Sequence, residues 1–240
     1  MRVAVISDIH GNIDAFKAVV EAAKDVEEWW CLGDVVGYGA APNECMALLL
    51  SLPHVAIPGN HDWAAIGKLS AEDFNPEALS CVRWTGEVLQ PEYVAYLSEL
   101  PVTRVCHEFT LVHGSPRAPL EEYLLRAAEA EANIAFFTTP ICLVGHTHRA
   151  ALFTRDGMES HPTVYALPKG DSVKGMKALC NPGAVGQPRD GDPRAAYLMW
   201  DSETGKLTWH RVEYDVERAA TRIIAAGLPT IEAVRLQLGR

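Results

Sequence analysis

The chain has 240 residues, 48% hydrophobic and 22% charged, with a formal net charge of −10; it is long enough to bury one substantial core, and a single domain spanning 1–240 is expected. The acidity and the lack of any Lys/Arg run exclude bulk nucleic-acid binding through backbone phosphates, and no stretch approaches the roughly 20 uninterrupted apolar residues of a membrane helix. The start runs straight into a strand with no cleavable leader pattern, and six scattered cysteines without a CxxC pair suit a reducing, cytoplasmic setting without disulfides.

Along the first third, short apolar runs at 3–7, 29–32 and 55–58 alternate with amphipathic stretches at 13–23 and 43–50, a βαβ rhythm. Val3-Ala4-Val5-Ile6 is apolar at every position, as in a parallel sheet covered by helices on both faces, and Asn12 or Asp14 is placed to cap the helix that follows. Residues 71–100 are predicted helical, with Asn75-Pro76 as a start signal and Pro91 heading a second helix; this insertion, about 64–100, is placed to roof a site. A hairpin is predicted from 102–106 and 109–113 around His107-Glu108, then a helix over 120–137 and a buried strand over 141–144. Beyond 150, short strands at 151–154, 163–167, 195–200 and 207–212, joined by Arg155-Asp156-Gly157 and by 201–205, predict a second, more antiparallel sheet. The tail, about 215–240, is helical with a break near Gly227-Leu228-Pro229 and is expected to pack on the outside.

Five blocks each follow an apolar run: Asp8-Ile9-His10, Gly33-Asp34, Gly59-Asn60-His61-Asp62, His113-Gly114 and Gly145-His146-Thr147-His148. Strands that end in Asp, Asn and His can converge those groups at one sheet edge and hold two cations. Asp8 and His10 stand two apart, so an extended segment points them the same way, and Gly11 permits a sharp turn beside them; His146 and His148 repeat the arrangement. Asp34 offers a carboxylate able to bridge two ions, Asn60 a neutral carbonyl oxygen and His113 another imidazole. Taken singly, a strand-end His is more often a structural hydrogen bonder, and Asn60 after Pro58-Gly59 a turn residue; the combination is what points to metal. His54, His107, His161 and His210 lack such a setting and are read as structural or surface residues.

In this order the blocks resemble the calcineurin-like metallophosphoesterase superfamily over about residues 3–150. Asn181-Pro182-Gly183-Ala184-Val185-Gly186-Gln187-Pro188 resembles the Asn-Pro-Gly-Ser-x-Gly stretch of its small prokaryotic phosphodiesterase branch, with Ala184 replacing the usual Ser; it fits a turn beside the site as well as a substrate contact. The resemblance implies an α/β (mixed α+β) fold of two facing β-sheets flanked by helices, a four-layer α/β/β/α sandwich. It also implies one divalent ion on Asp8, His10, Asp34 and His148 and a second on Asp34, Asn60, His113 and His146, with hydrolysis of a phosphoester by a metal-bridging hydroxide. His61 lies beside Asn60 but outside that ligand set and is the candidate to protonate the leaving oxygen, with Asp62 to orient it; the competing role for His61 is a hydrogen bond to the ligands.

The O/N donor set without thiolates suits Mn²⁺, Fe or Zn²⁺ better than Ca²⁺ and does not by softness choose among the three; Mn²⁺ is the first expectation. Gly33-Asp34-Val35-Val36-Gly37-Tyr38-Gly39 departs from the Gly-Asp-x-x-Asp-Arg-Gly of the superfamily's protein Ser/Thr phosphatases, because the phosphate-gripping Arg is absent. That favours a small, nucleotide-like phosphodiester substrate over a phosphoprotein or a dinucleoside tetraphosphate, and a phosphomonoesterase or protein phosphatase is the alternative enzyme reading. Tyr38 and Arg149 are candidate substrate contacts, although an exposed loop residue is the plainer description of Arg149. A non-catalytic metal-binding interaction scaffold is the alternative from another class, but such a member would be expected to have lost ligands, and here all seven positions and His61 are filled. Oligomeric state is not written in the sequence.

Overall fold

The structure, a computed structural model, describes residues 1–155, 157–166 and 177–240. The βαβ rhythm becomes three mutually parallel strands, β1 (Arg2–Ile6), β2 (Glu28–Cys31) and β3 (His54–Ala56), connected by helices α1 (Ile13–Ala22) and α2 (Pro42–Leu50). Asn12 caps α1 by accepting the Ala15 N–H at 3.1 Å. A short α3 (Asn60–Ala65) leaves β3, and α4 (Pro76–Val88) and α5 (Pro91–Glu99) start at the two prolines, where a missing N–H costs nothing.

The hairpin β4 (Thr103–Cys106) and β5 (Phe109–Val112) forms as expected, whereas the helix expected over 120–137 shrinks to α6 (Ala127–Asn133) and a 3₁₀ turn at Ile134–Phe136. A polar network competes with the helix here: Ser115 and Asn133 both donate to the Glu122 carboxylate, and Asn133 accepts the Arg117 N–H at 3.0 Å. The remaining strands are β6 (Ile141–Leu143), β7 (Ala150–Thr154), β8 (Gly157–Ser160), β9 (Val164–Ala166), β10 (Ala178–Pro182), β11 (Ala195–Asp201) and β12 (Lys206–Val212). Two six-stranded mixed sheets result, ordered β3-β2-β1-β11-β12-β9 and β4-β5-β6-β10-β7-β8.

The late strands therefore do not make a sheet of their own. β11 pairs antiparallel with β1, Ala4 opposite Met199, while β7 pairs antiparallel with β10; each supplies backbone partners that a parallel trio leaves open at its edge. Asp156 of the expected turn and residue 167 of the expected strand lie outside the described residues.

Alternation along β1 locates the core. Ala4 and Ile6 face α1 and α2 among Phe16, Val19, Met46 and Leu49, whereas Val3 and Val5 face the other sheet among Trp30, Leu32, Phe109, Leu111 and Trp200. The first sheet thus has helices on one face and a second sheet on the other, not helices on both. Trp30, Phe109 and Trp200 lie 4.9–5.5 Å apart ring to ring in this layer. All six cysteines are free thiols, and among the described residues no helix is long and apolar enough to cross a membrane.

Helices α7 (Val216–Ala225) and α8 (Thr230–Leu238) break at Gly227, as expected. They do more than cover the outside: Asp14 of α1 takes Arg218 at 2.7 Å and Arg222 at 2.9 Å, and both helices share an apolar cluster with Tyr38 and Cys81, beside the metal-ligand candidates.

Candidate metal centre

Each sheet contains one trio of parallel strands, β1-β2-β3 and β5-β6-β10. Asp8 and His10 follow β1, Asp34 follows β2, Asn60 follows β3, His113 follows β5, and His146 and His148 follow β6. Ligands gathering beyond the carboxyl ends of parallel strands are expected of such sheets. The backbone there is not extended: φ is 55° at Asp8, 47° at His10, 55° at Asp34, 53° at Tyr38, 64° at His146 and 57° at His148. These left-handed turns, each costing of order 1–3 kcal/mol for a residue with a side chain, make Asp8 and His10 converge, in place of the common direction an extended segment would give. Gly59 shows how tight the convergence is, since a Cβ there would stand 2.0 Å from Asp34 Oδ1.

The donors form two groups, Asp8, His10, Asp34 and His148, and Asp34, His113 and His146, with all donor atoms in each group within 4.8 Å of one another. His10 Nε2 lies 3.0 Å from His148 Nε2 and 3.5 Å from Asp34 Oδ2; His148 Nε2 lies 3.4 Å from Asp8 Oδ1. On the other side His113 Nε2 lies 3.3 Å from Asp34 Oδ2 and 3.1 Å from Asn60 Oδ1. Carbonyls fix the imidazoles from behind: His10 Nδ1 donates to Val36 O at 3.0 Å, His113 Nδ1 to Leu32 O at 2.8 Å and His148 Nδ1 to Gln187 O at 2.7 Å. A carbonyl only accepts, so Nδ1 carries the hydrogen and Nε2 points inward.

Burial holds His10 and His148 well below the ordinary imidazole value and lowers His146 to about 3, so these three are in the neutral, ligating form. His113 goes the other way, to about 9, because the charges of Asp34 and Asp8 outweigh its burial. Burial, reinforced by the Asp34 charge, raises Asp8 to about 7; Asp34 is held below the carboxylate range because the His113 and His61 charges outweigh its own burial. Asp34 Oδ2 and His146 Nε2 are buried without a hydrogen-bond partner. Facing lone pairs, buried carboxylates and orphaned donor atoms make a set that divalent cations fit.

His61 packs its ring at a tilt against Tyr38, 4.5 Å between centroids, and approaches His10 and Phe74 at 4.9 Å; its backbone N–H donates to Asp34 Oδ1 at 2.8 Å, and its Nδ1 has no partner. Asp62 does not orient His61. Its carboxylate accepts the backbone N–H groups of Asp34 at 2.8 Å, Val36 at 3.1 Å and Gly59 at 2.9 Å, clamping the loops after β2 and β3 together. Tyr38 is buried with its ring 4.7 Å from that of His10. Arg149 is exposed and donates through Nε to Arg189 O at 3.0 Å; with Leu124, Thr147, Met158 and Arg189 it lines a cavity of about 430 Å³ beside the centre instead of touching the ligands.

Residues 1–205 match the family model of the calcineurin-like phosphoesterase superfamily domain. The chain belongs to this superfamily. It is accordingly a metal-dependent hydrolase of phosphoesters, with its His and Asp ligand candidates clustered as described. This phosphoesterase is 36% identical over 248 residues to an uncharacterized protein of Methanocaldococcus jannaschii, covering 99% of this chain and 98% of that one. Its structure is similar to that of a metallophosphoesterase from Sphaerobacter thermophilus, at 41% identity and a TM-score of 0.89 over 100% and 99% of the two chains. A hypothetical protein from Pyrococcus horikoshii OT3 shares the fold, at 22% identity and a TM-score of 0.82 over 100% and 98%.

Two residues of the phosphoesterase site escaped the sequence. Tyr123, within the segment expected to be helical, stacks on His146 at 3.9 Å. Arg189 lies with its guanidinium 5.4 Å from the Tyr38 ring centroid; the signal was adjacent, since it directly follows residues 181–188. That stretch acts as the turn beside the site: Asn181 Nδ2 donates to Gly145 O at 2.7 Å, Val185 N to Ser7 O at 3.0 Å and Gly186 N to Asp8 O at 2.9 Å, bracing the loops after β1 and β6.

Proposed function

We propose that this phosphoesterase is a phosphodiesterase that binds two divalent cations, one among Asp8, His10, Asp34 and His148 and one among Asp34, Asn60, His113 and His146, and cleaves a small, nucleotide-like phosphodiester. The observation that carries this proposal is Asp34, common to both donor groups and presenting a buried oxygen to an imidazole of each. When bound, such a pair of cations lowers the pKa of a coordinated water and offsets the phosphoryl charge.

The protein's own contributions follow from the contacts. The carbonyls of Val36, Leu32 and Gln187 hold three imidazoles in one tautomer, and Asp62 fixes the spacing between the Asp34 loop and α3. His61 Nδ1 is an uncommitted polar atom beside the centre that lies outside the proposed ligand set, and it is assigned to the leaving oxygen. Burial lowers His61 to about 4, and an incoming phosphodiester anion works against that by favouring the imidazolium. Tyr38 stands where the superfamily's protein Ser/Thr phosphatases carry Arg, which supports a small diester over a phosphoprotein. The mixed carboxylate and imidazole donors suit Mn²⁺, Fe or Zn²⁺, and Mn²⁺ is the first choice to test; six free thiols support a cytoplasmic protein, and 1–240 is read as one domain with 64–100 as its helical insertion.

Metal analysis of Mn²⁺-loaded protein, paired with initial rates on bis(p-nitrophenyl) phosphate and p-nitrophenyl phosphate, tests this. Two ions per chain and faster diester cleavage are expected. One ion per chain overturns the shared-ligand assignment, and a strong monoester preference overturns the diester.

A further inference from the structure

Beyond the donor atoms, one hydrogen-bonded chain links the C-terminal helix to the site. Glu232 of α8 is fully buried; its Oε2 accepts Gln187 Nε2 at 2.7 Å, and Arg235 Nη1 lies 3.4 Å from both of its oxygens. A carboxylate facing that amide can only accept, so Gln187 must give it the NH₂ and turn Oε1 the other way. Oε1 then receives Arg189, from Nη2 at 2.6 Å and Nε at 3.3 Å. The backbone of the same two residues is tied to a ligand candidate: Gln187 O accepts His148 Nδ1 at 2.7 Å, and Arg189 N donates to His148 O at 3.0 Å.

The guanidinium is therefore held on one edge by a neutral amide that cannot neutralise it. It lies 5.4 Å from the centroid of Tyr38, whose own ring is 4.7 Å from His10 and 4.5 Å from His61. It also lines the cavity of about 430 Å³ shared with Thr147, the residue between His146 and His148. Its reach is consistent with the charges it influences: it acts on Asp8, His10, His61 and His148, and it offsets part of the burial that raises Tyr38 to about 12. Two of the five guanidinium N–H groups are used by Gln187, and the other three are the donors available to the Tyr38 and Tyr123 hydroxyls and to an oxyanion.

We propose that Arg189 is the phosphate-gripping residue of this site, and that Glu232 of α8 is a positioning residue that sets its guanidinium through Gln187. The proposal rests on the phosphodiesterase assignment for the nature of the bound group, an anionic phosphoryl oxygen. Gln187 transmits in both directions, because its side chain aims Arg189 while its carbonyl aims His148.

The test is calorimetric titration of inorganic phosphate into the Mn²⁺-loaded full chain, for the wild type, Arg189→Ala, Arg189→Lys, Glu232→Gln and the double variant Arg189→Ala/Glu232→Gln. KM and kcat on bis(p-nitrophenyl) phosphate and metal content are measured alongside. Losing charge-assisted hydrogen bonds at Arg189→Ala should weaken phosphate binding about ten- to a hundredfold and raise KM, with metal content unchanged. Arg189→Lys should recover only part of the loss. Glu232→Gln should weaken phosphate binding by a smaller factor, and that factor should vanish in the Arg189→Ala background, an outcome that a general loosening of the fold would not give. Wild-type phosphate affinity in Arg189→Ala overturns the grip, and an equal Glu232→Gln factor in both backgrounds overturns the relay. The phosphodiesterase assignment fails separately, through lack of turnover in the wild type, and phosphate affinity still decides the role of Arg189.

Discussion

The same strands build two unlike regions a few residues apart. Between the sheets Val5, Trp30, Leu32, Phe109 and Trp200 form a layer with ordinary strand geometry. Just past the carboxyl ends, Asp8, Asp34 and His146 are buried as deeply, but in left-handed backbone, and Asp34 Oδ2 and His146 Nε2 lack hydrogen-bond partners. The layer stabilises the fold by removing apolar surface from water; the rim consumes part of that stability in strain and desolvation to hold donors in place. Substitutions in the two regions should therefore fail differently.

Asp34→Asn has the largest expected effect. It removes one charge from both donor groups, so turnover should fall by about a thousandfold or more and both ions should bind more weakly, read by initial rates and metal analysis. In chelated protein the urea midpoint should move less than it does for any substitution in the apolar layer. Phe109→Ala supplies that contrast. Emptying a fully buried aromatic site should cost about 3–5 kcal/mol, measured by urea unfolding, while turnover per folded molecule on added Mn²⁺ stays near wild type. Full stability in Phe109→Ala, or a metal defect equal to that of Asp34→Asn, would erase the distinction between the regions.

The contrast also explains what was legible in the sequence. The rim announced itself locally, because each ligand block sits within four residues of a strand end, and the superfamily pattern runs through them in order. What failed was non-local. Which sheet receives β11 is decided by a pairing of Ala4 with Met199, and nothing in either segment names the other. Asp62 looked like a partner for its neighbour His61, yet its partners are N–H groups of Asp34, Val36 and Gly59. The left-handed backbone at six non-glycine residues of the site left no mark in composition or periodicity, since tertiary contacts impose it. Residues 120–126 carried apolar spacing that suited a helix until Glu122 found Ser115 and Asn133.

His61→Ala sharpens the comparison within the rim, separating metal holding from proton delivery. If His61 protonates the leaving oxygen, kcat should fall about a hundredfold, and further for poor leaving groups, with metal content intact. Loss of metal in that variant would move His61 into the ligand set, and a uniform effect across leaving groups would leave it no role in proton transfer.

The smallest effect is expected where the C-terminal helices meet α1. Asp14 is buried at 4% exposure, but the side chains of its partners Arg218 and Arg222 are 57% and 47% exposed, so solvent screens both pairs. Asp14→Asn keeps the hydrogen-bond acceptor and removes the charge, and should cost about 1 kcal/mol or less in urea unfolding. The helices also share an apolar cluster with Tyr38 and reach Gln187 through Glu232, two attachments that Asp14 does not control. Metal content and phosphate affinity should consequently be unchanged in Asp14→Asn. A drop in phosphate affinity there would mean that the ion pairs, and not the Glu232 contact, set the position of α7 and α8 against the site.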